Sequence, residues 1–191
     1  MTSLLDVDWS KIPAPGDDGA ADHLCGSRLS TLALSSTSGP PVDLSALSSV
    51  TVIYAYPMTG RPDIALPDGW DMLPGARGCT PQSCAFRDHF DELSSLGVDH
   101  LFGLSTQDTG YQREAAERLH LPFPLLSDAR LEWAEEMGLP RFEFAGMMLL
   151  KRLTLIVRDG RVEKVFYPVF PPDRNAADVI AWFRADPFGD V

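Results

Sequence analysis

Three short apolar runs in the middle of the chain predict buried β-strands, at Val50–Tyr56, His100–Leu104 and Phe123–Leu126. The first run is almost continuous in β-branched and aromatic residues, which is typical of a central strand covered on both faces. We therefore expect these runs to lie in one sheet, with the first run near its middle.

Helical periodicity occurs between and after these strands. Apolar residues recur every three or four positions from about Thr80 to Leu96, and Gly97 then closes the predicted helix. Further helices are predicted at Tyr111–Leu119, at Leu131–Met137 and from Asn175 onward. The order of these elements is an alternation of strands and helices.

Two segments have the pattern of β-hairpins. Leu153–Val157 and Val162–Val165 flank an Asp-Gly pair, which is a strong hairpin signal. Near the N-terminus, Leu29–Ser35 alternates apolar and polar positions, and a Ser/Gly/Pro-rich turn precedes the return at Val42. We expect a hairpin extension there.

These elements predict an α/β fold with a central mixed sheet flanked by helices. At 191 residues the chain is long enough for one domain with a substantial core. We assign residues 1–27 to an irregular N-terminal arm and residues 28–191 to the domain. Residues 57–78 are rich in Pro and Gly, and we expect them to form a long loop or insertion.

The net charge of −11 excludes several function classes. Nucleic acids and anionic membranes are bound through clustered Lys and Arg, so we expect neither partner. No apolar run reaches the ~18 residues of a membrane span, and we expect no secretory signal at the N-terminus. An odd, low count of three cysteines is typical of a reducing cytoplasm, which we predict as the location.

The most informative segment is residues 78–88, which read Gly-Cys-Thr-Pro-Gln-Ser-Cys-Ala-Phe-Arg-Asp. Cys79 lies where a loop meets the predicted helix N-terminus, and backbone N–H groups and the helix dipole favour an anion there. Such an environment favours the reactive thiolate. We therefore predict redox chemistry at Cys79, although two inert buried cysteines remain an alternative.

Cys79 and Cys84 are five residues apart, which limits how they can bond. In one intact helix their Cα atoms would be ~8–9 Å apart, whereas a disulfide needs about 7 Å or less. The first turn must unwind, or one cysteine must lie outside the helix. Pro81 is tolerated only in the first turn, so the helix cannot extend far upstream. A sulfenic acid on Cys79 that condenses with Cys84 after unwinding is a natural cycle.

This segment resembles the peroxiredoxins, specifically the branch of bacterioferritin-comigratory protein and plant peroxiredoxin Q. Those proteins carry Tyr-Pro after the central strand, as at Tyr56-Pro57, and a Gly-Cys-Thr-x-x-x-Cys-x-x-Arg-Asp block. Similar blocks follow in order at residues 102–106, 123–128 and 152–157, so the resemblance covers about residues 28–166. It implies a thioredoxin-like fold and peroxide reduction.

The resemblance also implies residue roles. Cys79 matches the peroxidatic cysteine, Cys84 the resolving cysteine, and Arg152 the arginine that holds the thiolate and the peroxide oxygen. A guanidinium steadies negative charge on sulfur and on the leaving oxygen. Other cations compete for this role, namely Lys151, Arg77 and Arg87.

One departure from the family concerns the residues before Cys79. The family places a proline, a threonine four residues on and the cysteine three further, but here Ala76 stands at the threonine position. We expect Pro57 and Thr59 to substitute, with residues 61–73 looping out between them and Cys79. That insertion either covers the active site or serves only as a packing flap.

The function predicted is therefore a thiol peroxidase for hydrogen peroxide and small alkyl hydroperoxides, recycled by thioredoxin or a similar dithiol. A thiol-disulfide oxidoreductase or redox sensor is the alternative, and a metal carrier using Cys79, Cys84 and His89 is a weaker one. We expect no cofactor and no metal, and we favour a monomer because the cysteine pair is intramolecular. Cys25 is interpreted as a bystander thiol or, alternatively, as another resolving cysteine.

Overall fold

The structure is a computed structural model that describes residues 7–185. The strands are β1 (Ser35–Ser36), β2 (Val50–Ala55), β3 (His100–Ser105), β4 (Leu125–Ser127), β5 (Arg141–Phe144), β6 (Met147–Leu150), β7 (Leu153–Arg158) and β8 (Arg161–Phe166). The α-helices are α1 (Cys79–Asp88), α2 (Phe90–Ser95), α3 (Thr109–Arg118), α4 (Glu132–Met137) and α5 (Asn175–Arg184). Short 3₁₀ helices occur at Trp9–Lys11, Leu44–Ala46, Trp70–Met72 and Pro172–Arg174.

One six-stranded sheet organises the chain, in the order β1-β4-β3-β2-β7-β8. Strands β2, β3 and β4 are parallel neighbours, whereas β7 runs antiparallel to β2 and β8 runs antiparallel to β7. The predicted mixed sheet flanked by helices is therefore confirmed. The antiparallel register pairs Ala55 with Leu153, so the start of β7 lies beside the end of β2.

Strand β2 is the central strand, as predicted, and it separates two hydrophobic cores. Ile53 and Ala55 point into the core that contains Trp133 of α4, whereas Val52 and Tyr54 point into the other core. That second core contains apolar side chains of α1, α2 and α5. The alternation of side chains along a strand explains this division, and it places α1 directly over β2.

The predicted helix over residues 80–96 is two helices. The chain departs from helical geometry at His89 (φ −103°, ψ 9°), so α1 ends at Asp88 and α2 begins at Phe90. The break reorients α2, because Phe90 packs against Phe123 (ring centroids 5.9 Å apart) while Leu93 is fully buried. A break that serves tertiary packing leaves no mark in the helical periodicity of the sequence.

The two predicted hairpins differ in outcome. The β7–β8 hairpin is confirmed, with Asp159 and Gly160 both at positive φ as its two-residue turn requires. The N-terminal extension contributes only the single pair Leu34–Val42 and the two-residue β1. Strand β1 pairs with β4 rather than with the returning chain.

A further hairpin, β5–β6, was not predicted from the sequence. Its turn residues Ala145 and Gly146 both have positive φ (51° and 76°). Alanine rarely adopts that conformation, so Ala-Gly is a much weaker turn signal than Asp-Gly.

Candidate active site

Cys79 is the first residue of α1, and the backbone before it explains why the helix begins there. Gly78 has φ +105°, a conformation that side chains rarely adopt. A Cβ atom at Gly78 would lie 2.6 Å from both Trp9 and Pro172, so only glycine fits at this position without a steric clash. The Cys79 thiol that follows is 3% exposed and belongs to the core over β2.

Arg152 reaches this thiol from the sheet. It directly precedes β7, whose antiparallel pairing brings it to the end of β2 where the loop to α1 begins. Its Nη2 donates a hydrogen bond to the Sγ of Cys79 at 3.3 Å, and the arginine is only 2% exposed. The two residues predicted to carry the reaction are therefore in contact.

The other contacts of the Arg152 guanidinium come mainly from backbone carbonyls. Nη2 also lies 3.3, 3.1 and 3.2 Å from the carbonyl oxygens of Gly75, Ala76 and Arg77. Among residues 7–185 no carboxylate forms an ion pair with Arg152, and its buried Nε has no hydrogen-bond partner. A buried cation without an acidic partner favours an electronegative atom beside it, and the Cys79 sulfur lies in that place.

A buried polar chain fixes the orientation of Arg152. Nη1 donates to the Oε1 of Gln82, and the Nε2 of Gln82 donates to the Oδ1 of Asn175 at 2.9 Å. The same Oδ1 accepts a hydrogen bond from the Thr154 hydroxyl at 2.7 Å. Gln82, Asn175 and Thr154 are each at most 1% exposed. The sequence pattern did not single out these residues, because they come from three distant segments.

Cys84 lies in the same helix but in a different environment. It is 5% exposed, and burial raises the pKa of its thiol above the ordinary value. Both cysteines are free and both belong to α1. Since an intact helix holds residues i and i+5 ~8–9 Å apart at Cα, a disulfide between them requires α1 to unwind.

The competing cations have partners elsewhere. Arg77 lies 3.8 Å from Asp71, Lys151 pairs with Asp18, and Arg87 pairs with Asp88 at 2.8 Å. Within the part of the chain that the structure describes, Arg152 is the cation that donates to Cys79.

Pro57 and Thr59 lie at the end of β2, and both are buried. The Thr59 hydroxyl donates to the Oε1 of Gln107 at 3.1 Å, and the Thr59 backbone exchanges two further bonds with the same side chain. The structure thus brings Thr59 together with Gln107 and shows no bond from Thr59 to Cys79. A role for this hydroxyl at the thiol stays a prediction that the geometry does not support.

A cavity of about 170 Å³ opens beside Cys79. The insertion supplies much of its wall, including Arg61, Leu66 and Trp70. Trp70 also packs against Phe144 of β5, with ring centroids 5.6 Å apart. The insertion therefore lines the cavity beside Cys79 and also packs against β5, and a part for it in catalysis stays a prediction.

The remaining candidates lie outside this cluster. Cys25 is exposed, and its Sγ contacts the carbonyl of Glu163 on β8 at 3.6 Å. Within residues 7–185 no group of three or more His, Cys, Asp or Glu side chains is arranged to hold a metal ion. No helix in the same range is long and apolar enough to cross a membrane.

The arrangement matches a known family. The Redoxin family matches residues 24–180. The chain belongs to this family. Its fold is therefore thioredoxin-like, as the sequence resemblance implied.

The most similar relatives include chloroplastic peroxiredoxin Q proteins. The protein from Populus jackii is 28% identical over 150 residues, covering 78% of this chain and 58% of the relative. The protein from Arabidopsis thaliana is 26% identical over 153 residues, covering 80% and 63%. The chain therefore spans about three fifths of the length of these plant relatives.

Solved structures agree on the fold. Peroxidoxin BcpB from Mycobacterium tuberculosis has a TM-score of 0.67 and 27% identity, covering 84% of this chain and 96% of that protein. Peroxiredoxin Q from Xanthomonas campestris has a TM-score of 0.65 and 20% identity, covering 93% and 98%. The chain is thus a redoxin of the bacterioferritin-comigratory-protein and peroxiredoxin Q branch.

Proposed function

We propose that this protein is a thiol peroxidase that reduces hydrogen peroxide and small alkyl hydroperoxides. The observation that carries the proposal is the contact of 3.3 Å between Arg152 Nη2 and Cys79 Sγ, at a guanidinium with no carboxylate partner among the described residues. Such a cation stabilises the attacking thiolate and the negative charge that develops on the leaving oxygen.

The first step is attack of the Cys79 thiolate on the terminal oxygen of the hydroperoxide. The S–O bond forms as the O–O bond breaks, and the released alkoxide or hydroxide takes up a proton to leave as alcohol or water. Cys79 becomes a sulfenic acid. Arg152 donates to the sulfur and to the oxygen beside it, and the cavity of about 170 Å³ favours small substrates.

The second step joins the two cysteines. After the first turn of α1 unwinds, the Cys84 sulfur attacks the Cys79 sulfenic sulfur, a disulfide forms and water leaves. A thioredoxin-type dithiol then reduces this disulfide by thiol-disulfide exchange. Because both cysteines belong to one chain, no partner subunit is needed, and we retain the monomer as part of the proposal. The cytoplasmic location predicted from the cysteine count stays a prediction.

Steady-state peroxide consumption with thioredoxin, thioredoxin reductase and NADPH tests this function. We expect turnover in the wild-type protein and in Cys25→Ser, which serves as the matched control. Cys79→Ser should abolish turnover, and Cys84→Ser should reduce about one equivalent of peroxide and then stop. Intact turnover in Cys79→Ser together with its loss in Cys84→Ser would reverse the two roles. Thiol-disulfide exchange without peroxide consumption would favour the oxidoreductase alternative.

A further inference from the structure

Residues 9–18 of the N-terminal arm lie against the region of the active site, although they lie outside the family match that begins at residue 24. Trp9 is the main contact. Its indole ring approaches Gly78 so closely that a Cβ atom there would lie 2.6 Å from the ring, and Pro172 lies equally close. The backbone that leads into the first turn of α1 is therefore held between Trp9 and Pro172.

Trp9 is itself fixed from the other side. Its Nε1 donates to the Oδ2 of Asp173 at 2.8 Å, next to Pro172. Its ring meets Phe170 edge to face, with centroids 5.9 Å apart. The 3₁₀ helix Pro172–Arg174, which carries Asp173, also packs against α1. The indole thus links the arm, the segment before α5 and the N-terminus of α1.

Two further contacts attach the arm to the same region. Pro15 packs against Gly75, whose carbonyl accepts a hydrogen bond from Arg152. Asp18 pairs with Lys151, the neighbour of Arg152 in sequence, and accepts a hydrogen bond of 2.7 Å from the Tyr167 hydroxyl. Residues 9–18 therefore follow the loop and the strand end that surround Cys79.

We propose that Trp9 clamps the first turn of α1 and thereby slows the transfer of the oxidised Cys79 to Cys84. This inference rests on the proposed function, because it concerns the unwinding that the Cys79–Cys84 disulfide needs. Unwinding moves residues 79–82 away from their helical positions and displaces Gly78, which precedes them and is held between Pro172 and the indole. Each such contact adds to the cost of unwinding.

The clamp sets the outcome of a kinetic competition. The Cys79 sulfenic acid either condenses with the Cys84 thiol, forming the disulfide and releasing water, or meets a second hydroperoxide. In the second case it is oxidised to the sulfinic acid and the hydroperoxide is reduced to alcohol or water. A slower first route gives peroxide more time for the second, so the arm increases sensitivity to overoxidation.

Rapid mixing of reduced protein with hydrogen peroxide separates the two steps. Samples are quenched with acid and a thiol-alkylating reagent and analysed by mass spectrometry, which needs no tryptophan signal. In Trp9→Ala we expect the first-order rate of disulfide formation to rise roughly tenfold, the effect of removing about 1.4 kcal/mol from the barrier. The second-order rate of Cys79 oxidation should stay within about twofold of wild type, and less sulfinic acid should form at high peroxide.

Two further variants keep the test decisive. Trp9→Phe retains an aromatic ring but loses the bond to Asp173, and we expect a smaller rise of about threefold even if the alanine variant folds poorly. Lys11→Ala is the matched control, because Lys11 belongs to the same 3₁₀ helix and, among residues 7–185, pairs on the surface with Asp8 alone. It should leave both rates unchanged.

The outcomes distinguish the clamp from the function. If wild-type protein forms no Cys79–Cys84 disulfide, the proposed resolving step fails before the clamp is considered. If the disulfide forms at the same rate or more slowly in both Trp9 variants, the clamp is overturned and the peroxidase stands. A loss confined to the Cys79 oxidation rate would also overturn the clamp, because the arm would then shape the thiol pocket.

Discussion

Cys79 and Cys84 share one helix and nearly the same burial, 3% and 5% exposed, yet their surroundings are opposite. Cys79 accepts a hydrogen bond from a buried guanidinium at the helix N-terminus. Cys84 lies more than one turn further along, where desolvation raises the pKa of its thiol. Arg87, which opposes this rise in the pKa of Cys84, is already paired with Asp88.

From this difference we expect that burial alone does not decide which cysteine reacts. A buried thiol without a nearby cation stays protonated, because water is removed and nothing replaces its stabilisation of the charge. At Cys79, by contrast, the Arg152 guanidinium donates a hydrogen bond to the sulfur. In the proposed function, one helix therefore carries the thiol that attacks peroxide at its start and the thiol that resolves the sulfenic acid further along.

The largest effect on the difference between Cys79 and Cys84 is expected when the positive charge of Arg152 is removed. Arg152→Met should lower the second-order rate of Cys79 oxidation by about 10²–10³-fold, because the thiolate and the leaving oxygen lose their main electrostatic partner. Stopped-flow oxidation with hydrogen peroxide measures this rate. Arg87→Met is the control near Cys84 and should leave the rate within about twofold. Equal losses of rate in Arg152→Met and Arg87→Met would show that positive charge anywhere near α1 matters, rather than the hydrogen bond from Arg152 to Cys79.

A smaller effect should follow from loosening Arg152. Gln82→Met removes the hydrogen bonds to Arg152 and Asn175, and we expect the oxidation rate to fall about 10- to 100-fold, as for loss of a charge-assisted bond. Ser83→Ala is the matched control. Ser83 also belongs to α1, and its replacement removes the buried hydrogen-bond acceptor of the Tyr54 hydroxyl. Both variants should lower the free energy of unfolding by about 1–3 kcal/mol, but only Gln82→Met should slow oxidation. A parallel loss of rate in Ser83→Ala would mean that general loosening of α1 explains the effect.

The pH dependence of disulfide formation gives a further test of the difference between the two cysteines. Because the pKa of Cys84 is raised, this thiol is protonated at neutral pH and must ionise before it attacks the sulfenic acid. The rate of disulfide formation should therefore rise as pH rises, about tenfold from pH 7 to pH 8. Quenched-flow measurements of the disulfide give this rate. A rate independent of pH would contradict a role for ionisation of Cys84.

The sequence predicted the parts of this site that depend on local pattern. The β-branched run of β2, the Gly-Cys-Thr-Pro start of α1 and the Asp-Gly turn of the last hairpin each carry a short-range signal. Arg152 was identified through family resemblance, and the antiparallel pairing of β7 with β2 explains why it reaches Cys79.

The missed parts depend on contacts between distant segments. Gln82 and Asn175 are 93 residues apart, and neither has a local pattern that marks it as a polar partner of the other. The position of Trp9 against Gly78 and the helix break at His89 are likewise set by tertiary packing. Thr59 was expected at the thiol because of its residue type, but Gln107 holds its hydroxyl.

The most direct test of the account is to add one equivalent of hydrogen peroxide to the reduced protein and map the product by peptide mass spectrometry. The account predicts rapid oxidation that ends in a Cys79–Cys84 disulfide, with a sulfenic acid accumulating on Cys79 when Cys84 is replaced by serine. Oxidation that begins at Cys84, or that spreads slowly over all three cysteines, would contradict the claim that Arg152 makes Cys79 the reactive thiol.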